Sequence, residues 1–456
     1  MIKKSLVMGF TTGILMIIGL VVQHILAKYL TLNEYGIYAL MFSWIGLLSV
    51  FSLNSFNTIV TKASAQNYPR FFKTASKICF LFSLLGSIAL LVIGFFFEVE
   101  RLNLFILLAI FFPFYGGINF ADSYLIGSSK FNKYSVYMIT SQCIIAGLQI
   151  ISVVFLQGVF WLLFFTLLGT SMINLVMTFF IYKNIKQEKD DKKDKELTKY
   201  GIELTGIGIF SSIASRIQYI ILAALAGTAT LAIYAVSQII PERIKGLIKG
   251  ILSPFSIYLA SNDKERSIKI VRKATFILLL FSLSIILLTA IILPVIIKII
   301  FGLKYEESII YSLILLLALV SIPLDIGPGS IMVYQGFKKF YAKITLLTNL
   351  IKIIGFIIFI PLFKIYGIII TIVLASLSTT IINLIWFYKL PKPQIKKSLL
   401  ILDKKFESDK YENIIIKPKI NGQNIINIIE SDYLSKAETY PLWIRIIAKL
   451  TFTKKV

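Results

Sequence analysis

Charged side chains are rare within the long apolar runs of this chain, and the few that occur there define the chemistry open to it. Arg216 lies near mid-depth of one run, with Ser212 four residues before and Tyr219 three after, so one helical face carries all three. The next run holds Glu242, Lys245 and Lys249, spaced three and four apart on the face of Gly246, with Arg243 about a quarter-turn away. Lys352 shares a face with Thr345 and Asn349. Nearer the N-terminus the polar groups differ in kind: Tyr115, Asn119 and Asp122 form one stripe, and Asn54, Asn57, Thr58 and Thr61 form another. Asp325 stands between Pro323 and Gly327-Pro328-Gly329, breakers that free backbone carbonyls.

A charge within hydrocarbon costs at least ~2.5 kcal/mol on insertion scales, so each of these residues is a functional candidate. The cations Arg216, Arg243, Lys245, Lys249 and Lys352 outnumber the acids Glu242, Asp122 and Asp325, and the embedded positive charge is confined to the second half of the chain. Such a wall suits an anion. Arg216, Lys245, Lys249, Lys352, Arg243 and Glu242 are therefore expected to bind substrate, while Asp122, Asn119 and Asp325 are candidates for coupling an ion. A plainer account pairs Glu242 with Lys245 or Lys249 and lets Lys249 and Asp122 snorkel to the surface. It fits Arg216 and Lys352 less well, because they lie deeper. His24, beside Gln23, reads as a structural hydrogen-bonding residue rather than a proton sensor.

Bond-making chemistry is not expected. The chain has no Gly-x-x-x-x-Gly-Lys-Ser/Thr loop, no His-Glu-x-x-His, and no acidic cluster outside the membrane for a metal-dependent glycosyl or phosphoryl transfer. Cys79 and Cys143 sit in separate runs and imply neither a disulfide nor a metal site. No catalytic residue, metal or cofactor is called for.

The elements that must position these side chains follow from composition. A chain of 456 residues that is 57% hydrophobic and 15% charged belongs largely in lipid. Its net charge of +24 comes from Lys and Arg clustered between apolar runs, which is how a membrane protein fixes its orientation, so nucleic acid is not the expected partner. Runs of about 20 apolar residues signal helices rather than barrel strands. We expect about twelve spanning helices, near 7–27, 35–57, 78–97, 104–126, 134–156, 159–182, 203–226, 230–252, 274–297, 308–334, 343–363 and 367–388. The first follows Met1-Ile2-Lys3-Lys4 with no small-residue cleavage site after it, so it reads as a span and not as a removable signal. Basic residues concentrate on the side of Lys3, Lys62, Arg70, Lys130 and Lys183, which places both termini in the cytoplasm.

Internal echoes organise the chain further. Gly36-Ile37-Tyr38-Ala39 is answered by Ala232-Ile233-Tyr234-Ala235, and the Pro-interrupted run from Pro113 to Gly127-x-x-Lys130-Phe131 by that from Pro323 to Gly336-x-x-Lys339-Phe340. Six spans lie between equivalent points, so the repeats are parallel, related by an axis along the membrane normal. The expected division is 1–182, a six-helix bundle; 183–200, a charged, solvated cytoplasmic linker; 201–390, a second bundle facing the first across a central cavity; and 391–456, a cytoplasmic tail. Within that tail Asn421-Gly422 suits a hairpin turn, and Pro441 to Phe452 has one apolar face that could rest on the membrane surface or dock as a small appendage.

Leu30 to Leu40, the Gly-x-x-Lys-Phe end of the fourth helix, Ala232 to Ala235 and the loop around Gly302 to Ser308 together resemble the polysaccharide-unit flippases. These are the O-antigen and capsule transporters of the multidrug/oligosaccharidyl-lipid/polysaccharide exporter superfamily. The resemblance covers the twelve helices and not the tail. It implies two bundles that open alternately to each side of a prokaryotic cell membrane, passing an undecaprenyl-pyrophosphate-linked glycan outward among membrane lipids, with glycan polymerase machinery as a further partner. Relatives often carry an Asp just after the middle of helix 7; here that region reads Ser215-Arg216-Ile217-Gln218, so no role for that acid carries over. The alternatives are a cation-coupled multidrug exporter, which would want embedded acids, and a membrane glycan polymerase or ligase, which would want a large outer loop.

Overall fold

The computed structural model describes residues 2–185, 190–260, 264–334 and 337–389, all from one all-helical array with no strand among them. The tail 391–456 and Gly336 of the second echo lie outside the described residues. Helices are the form that satisfies every backbone group within one segment in lipid, and the apolar runs here are long enough to impose it.

Helix α1 spans Ile2–Tyr29, and α2 spans Leu32–Leu48. Between them Thr31 and Glu34 form a reciprocal capping box: Thr31 Oγ1 accepts from the Glu34 amide, and Glu34 Oε2 accepts from the Thr31 amide at 2.9 Å. This part of the recurring motif is thus a helix start signal. Successive turns then carry the chain from Leu48 to α3, Phe56–Ala65, so the second crossing is broken rather than the continuous helix expected over 35–57. After α4, Phe71–Phe96, the fourth crossing is broken too, into α5, Leu102–Tyr115, and α6, Ala121–Gly127. Pro113 and the pair Gly116-Gly117 end α5, and the carbonyls left over are taken up by a neighbour. Asn174 Nδ2 donates to the Phe114 and Tyr115 oxygens at 3.1 Å each, and Thr178 Oγ1 donates to the Ile118 oxygen at 3.2 Å.

Helix α7, Phe131–Ile151, passes through a π turn at Ser152–Leu156 to α8, Val159–Asn184. The stretch Asp191–Ala260 is two helices, α9 (191–226) and α10 (228–260), that reverse at Gly227, whose φ of 82° suits glycine. Then come α11, Lys264–Phe301; α12, Ser308–Ala318; α13, Ser321–Tyr334; α14, Lys338–Phe363; and α15, Ile365–Lys389. The break in the tenth crossing falls before Ser321, not around Asp325. Pro323 sits in the first turn of α13, where its missing N–H leaves no bond unmade, so it starts the helix instead of breaking it.

Nine stretches among the described residues are long and apolar enough to cross a membrane, one of them Gly208–Lys249, which runs through the Gly227 reversal. With that hairpin counted as two passes and the broken crossings 32–65 and 102–127 added, the array is compatible with twelve. Its outward side chains, among them Leu85, Ile88, Phe95, Leu287, Leu288 and Ile291, are exposed and apolar, as a lipid-facing belt must be.

The charged stretch between the halves is not a free link throughout. From Asp191 it is helical, and Asp194, only 4% exposed, accepts from Tyr68 Oη at 2.9 Å and from Thr74 Oγ1 at 2.6 Å. Leu197 joins Phe56, Phe71 and Phe72 in one buried cluster.

Candidate functional site

The second half of the chain lines an open cavity of about 600 Å³ walled by α10, α12, α13, α14 and α15, with Ser211 of α9 at its edge. Into it come Glu242, Lys245 and Lys249 from α10, Asp325 from α13, Lys352 from α14 and Asn383 from α15. Periodicity explains the grouping: positions 242, 245 and 249 follow one helical face, as do 345, 349 and 352, and both faces turn to the same space.

Charge within the cavity is unevenly matched. Lys245 Nζ is bound to Glu242, at 2.7 Å from Oε1 and 3.0 Å from Oε2. Asp325 is held by neutral donors instead: Asn383 Nδ2 at 2.8 Å to Oδ1, and Thr380 Oγ1 at 3.1 Å to Oδ2. Among the described residues, neither Lys249 nor Lys352 has an ion pair or a hydrogen bond. Two ammonium groups therefore stand on facing helices of a membrane-embedded chamber without a direct ion pair, with Glu242 and Asp325 near enough to act on Lys249 through space and Glu242 on Lys352. Ser321, Thr345, Thr348, Ser376, Thr379 and Asn349 add hydroxyl and amide groups to the wall. The chamber can hold an anion at one place and hydrogen-bond a polyhydroxylated molecule at others.

Two expected members of this wall lie elsewhere. The Arg216 side chain crosses to the first half and rests on Gly46 of α2, where an added Cβ would stand 2.6 Å from its Nε. Arg243 likewise lies on Gly19 of α1, with Nη2 at 2.6 Å from such a Cβ. Both arginines mark the meeting of the halves, outside the lysine cavity. Asp122 and Asn119 belong to the first half. Asp122 Oδ1 accepts from the Ser123 amide at 2.6 Å, and Ser123 Oγ in turn donates to Asn57 Oδ1 at 2.8 Å, while Asn119 is exposed. Asp325 is the one ion-coupling candidate that shares the chamber with the lysines. His24 Nδ1 lies 2.6 Å from the Ile300 carbonyl oxygen, a structural contact at the far end of α1.

Thr380 and Asn383 were not among the residues singled out from sequence. Their signal was present but weak: Ser376, Thr379, Thr380 and Asn383 recur every three or four positions along an otherwise apolar helix.

The end of the array opposite the N-terminus is closed. Asn33 and Thr228 are hydrogen-bonded through their side chains, the Thr228 carbonyl packs against Gly36 so closely that no Cβ fits, and Lys304 Nζ donates to the Leu30 carbonyl at 2.7 Å. Tyr35 packs edge-on against Tyr305 beneath them, with ring centroids 5.8 Å apart. The recurring motif thus forms the far closure.

Comparison with known proteins agrees with this architecture. A family model described as polysaccharide biosynthesis protein matches residues 25–310. No curated protein matches the sequence. Among solved structures, the lipid II flippase MurJ in an inward closed conformation aligns with a TM-score of 0.63 at 17% identity, covering 99% of each chain. An outward-facing multidrug resistance MATE family transporter of the MOP superfamily aligns with a TM-score of 0.60 at 15% identity, over 89% of this chain and 97% of that one. A MOP superfamily transporter from Pyrococcus furiosus, described as having a binding pocket of reverse polarity, gives 0.58 at 16% identity over 85% and 95%.

Proposed function

The chain belongs to the polysaccharide biosynthesis protein family, and from that premise we propose that it is a flippase for a lipid-pyrophosphate-linked oligosaccharide. One observation carries this reading: Lys249 and Lys352 face a common membrane-embedded chamber with no anion of the protein paired to either. Two like charges facing one chamber repel each other, and an incoming diphosphate offsets that repulsion by supplying the anion with which neither is paired. The hydroxyl and amide groups around them suit the first sugars. The polyprenyl tail stays in the bilayer, so only the headgroup and glycan need a polar path.

Transport then proceeds by alternating access, with the Asn33–Gly36–Thr228 contact as the outer closure and the basic face, which carries Lys62, Arg70 and Lys130, in the cytoplasm. The two halves, 1–182 and 201–390, serve as the moving bodies. Asp325, inside the same chamber but held by Thr380 and Asn383, is the acid best placed to carry a coupling ion. A multidrug exporter of the same fold is the second reading; the unpaired lysines weigh against it, because a cationic drug would meet them.

The test uses purified protein in vesicles with an asymmetrically placed, fluorescent polyprenyl-pyrophosphate oligosaccharide. Lys249→Gln with Lys352→Gln should slow flipping at least tenfold while the fold is kept. Wild-type rates in that double variant would remove the cationic chamber from the mechanism.

A further inference from the structure

Four lysines on the basic face of the first half lie over tyrosine rings that come from four different parts of the fold. Lys193 Nζ stands 4.5 Å from the centre of the Tyr68 ring, between α3 and α4, and Lys62 Nζ 4.8 Å from that of Tyr200 on α9. Lys130 Nζ is 5.1 Å from the Tyr124 ring on α6, and Lys73 Nζ, which also donates to the Ile185 carbonyl at 3.0 Å, is 5.6 Å from the Tyr182 ring on α8. A common core sets the rings in place. Phe72 packs edge-on against both Tyr124 and Tyr182, with centroids 5.5 and 5.9 Å away, and Tyr68 joins the same buried cluster. Tyr200 adjoins Gly201, on which the Phe56 ring of that cluster rests. Asp194, next to Lys193, turns inward to Tyr68 and Thr74, so its carboxylate lies beneath the lysines. Arg70, Lys77, Lys133 and Lys199 add to the four and leave the face positive despite the exposed Asp190, Asp191, Glu196 and Glu203. Among the described residues none of the four lysines forms an ion pair.

We propose that this lysine-on-tyrosine platform is a docking site for the anionic phospholipid headgroups of the inner leaflet. Its depth suits them. The apolar spans Phe71–Phe96 and Val159–Asn184 end at this face, with Lys73 in the first turn of one and Tyr182 in the last turn of the other, so the platform lies where headgroups begin. An inner leaflet rich in anionic lipid carries a negative surface potential that draws such cations, and tyrosine is at home at that level. A lysine free in water gives up rotamer freedom when it binds a phosphate. One already held over a ring by its cation–π attraction gives up less, so these four are better prepared than ordinary surface lysines. They come from α3, α4, the start of α7 and α9, which the Phe56–Phe71–Phe72 core holds together. The inference rests on the cytoplasmic placement of the basic face given above, and not on the identity of the cargo.

The test uses the full chain in phosphatidylcholine vesicles doped with spin-labelled phosphatidylglycerol or spin-labelled phosphatidylcholine, and reads the fraction of each label that the protein immobilises. Wild type should favour phosphatidylglycerol several-fold, and high salt should remove that preference. Lys62→Gln, Lys73→Gln, Lys130→Gln and Lys193→Gln together should bring the two lipids close to parity, with the melting temperature in detergent showing that the fold is kept. Arg at the same four positions, which keeps both charge and ring contact, should retain the preference. A matched control removes four cations from the basic face of the second half, by Lys269→Gln, Lys339→Gln, Lys343→Gln and Lys389→Gln, and should cost much less. An equal loss in the control would show that overall charge, not the platform, attracts the lipid. Equal immobilisation of both lipids by wild type would leave the platform to another anion, the cargo's diphosphate or an acidic protein segment, and would overturn the proposal. None of these readings needs transport, so a protein that selects phosphatidylglycerol but flips nothing would count against the flippase reading alone.

Discussion

Replacing Gly36 by alanine asks whether the far closure depends on the bare backbone of the recurring motif. An alanine Cβ at that position would stand 2.5 Å from the Thr228 carbonyl carbon and closer still to its oxygen. Ordinary contact begins near 3.4 Å, so α2 and α10 must part by roughly 1 Å. The obstacle is backbone, which cannot swing aside as a side chain would. Forcing such an overlap costs about 1–3 kcal/mol, and the Asn33–Thr228 hydrogen bond at the same spot is lost for about 1 kcal/mol more. At 1.4 kcal/mol per tenfold, the equilibrium between closed and open far ends should shift roughly 30- to 1,000-fold toward open. Ala232→Cys is the reporter, since Ala232 is 0% exposed beneath the closure; Cys143→Ser removes the exposed native thiol. A membrane-impermeant maleimide added on the far side should label the Gly36→Ala protein much faster than its Gly36 parent. Equal labelling rates in two folded proteins would refute the claim that this contact shuts the far end.

Other expectations concern the site and its supports. Lys249→Gln alone should weaken binding of a pyrophosphate headgroup by about 1.5–3 kcal/mol, the range for a charge-assisted hydrogen bond, as read by titration calorimetry; Lys364→Gln, outside the chamber, should not. Arg216→Ala should change headgroup affinity little, because its side chain lies on Gly46, and should instead alter the rate of opening between the halves, measured by spin-label distances. Asn174→Ala leaves the Phe114 and Tyr115 carbonyls without their donor and should cost about 1–3 kcal/mol of stability, seen as a lowered Tm in detergent. Pro323→Ala should leave turnover unchanged since Pro323 lies in a first turn, whereas Pro328→Ala, deeper in α13, should straighten that helix and slow flipping.

The all-helical membrane fold was legible because hydrocarbon leaves a chain so few options, and the apolar runs therefore mark most crossings directly. The grouping of Lys245, Lys249 and Lys352 was legible for a related reason: spacing along a helix places residues on a face, and 242, 245 and 249 on α10 and 345, 349 and 352 on α14 each follow one face. What sequence could not show was aim across space. Arg216 and Arg243 have long side chains that reach away from their own helices, and their resting places on Gly46 and Gly19 depend on how α9 and α10 pack on α2 and α1. The stretch 183–200 read as solvated by charge alone, yet Asp194 is buried because Tyr68 and Thr74, more than a hundred residues away, satisfy it. The break at 49–55 had no proline or glycine to announce it; Leu53, with a φ of 51°, turns the chain without one.

Asn174 carries a consequence for how this molecule is made. The carbonyls exposed by the bend in the fourth crossing belong to Phe114 and Tyr115, and their donor lies 60 and 59 residues further along the chain. At 5–20 residues per second on the ribosome, that segment waits roughly 3–12 s for its partner. Bare carbonyls cannot rest in lipid for that time without cost. The fourth crossing must therefore be sheltered by the insertion machinery, or by water it holds open, until α8 emerges, and the first half of the protein settles into the bilayer as a group rather than one helix after another.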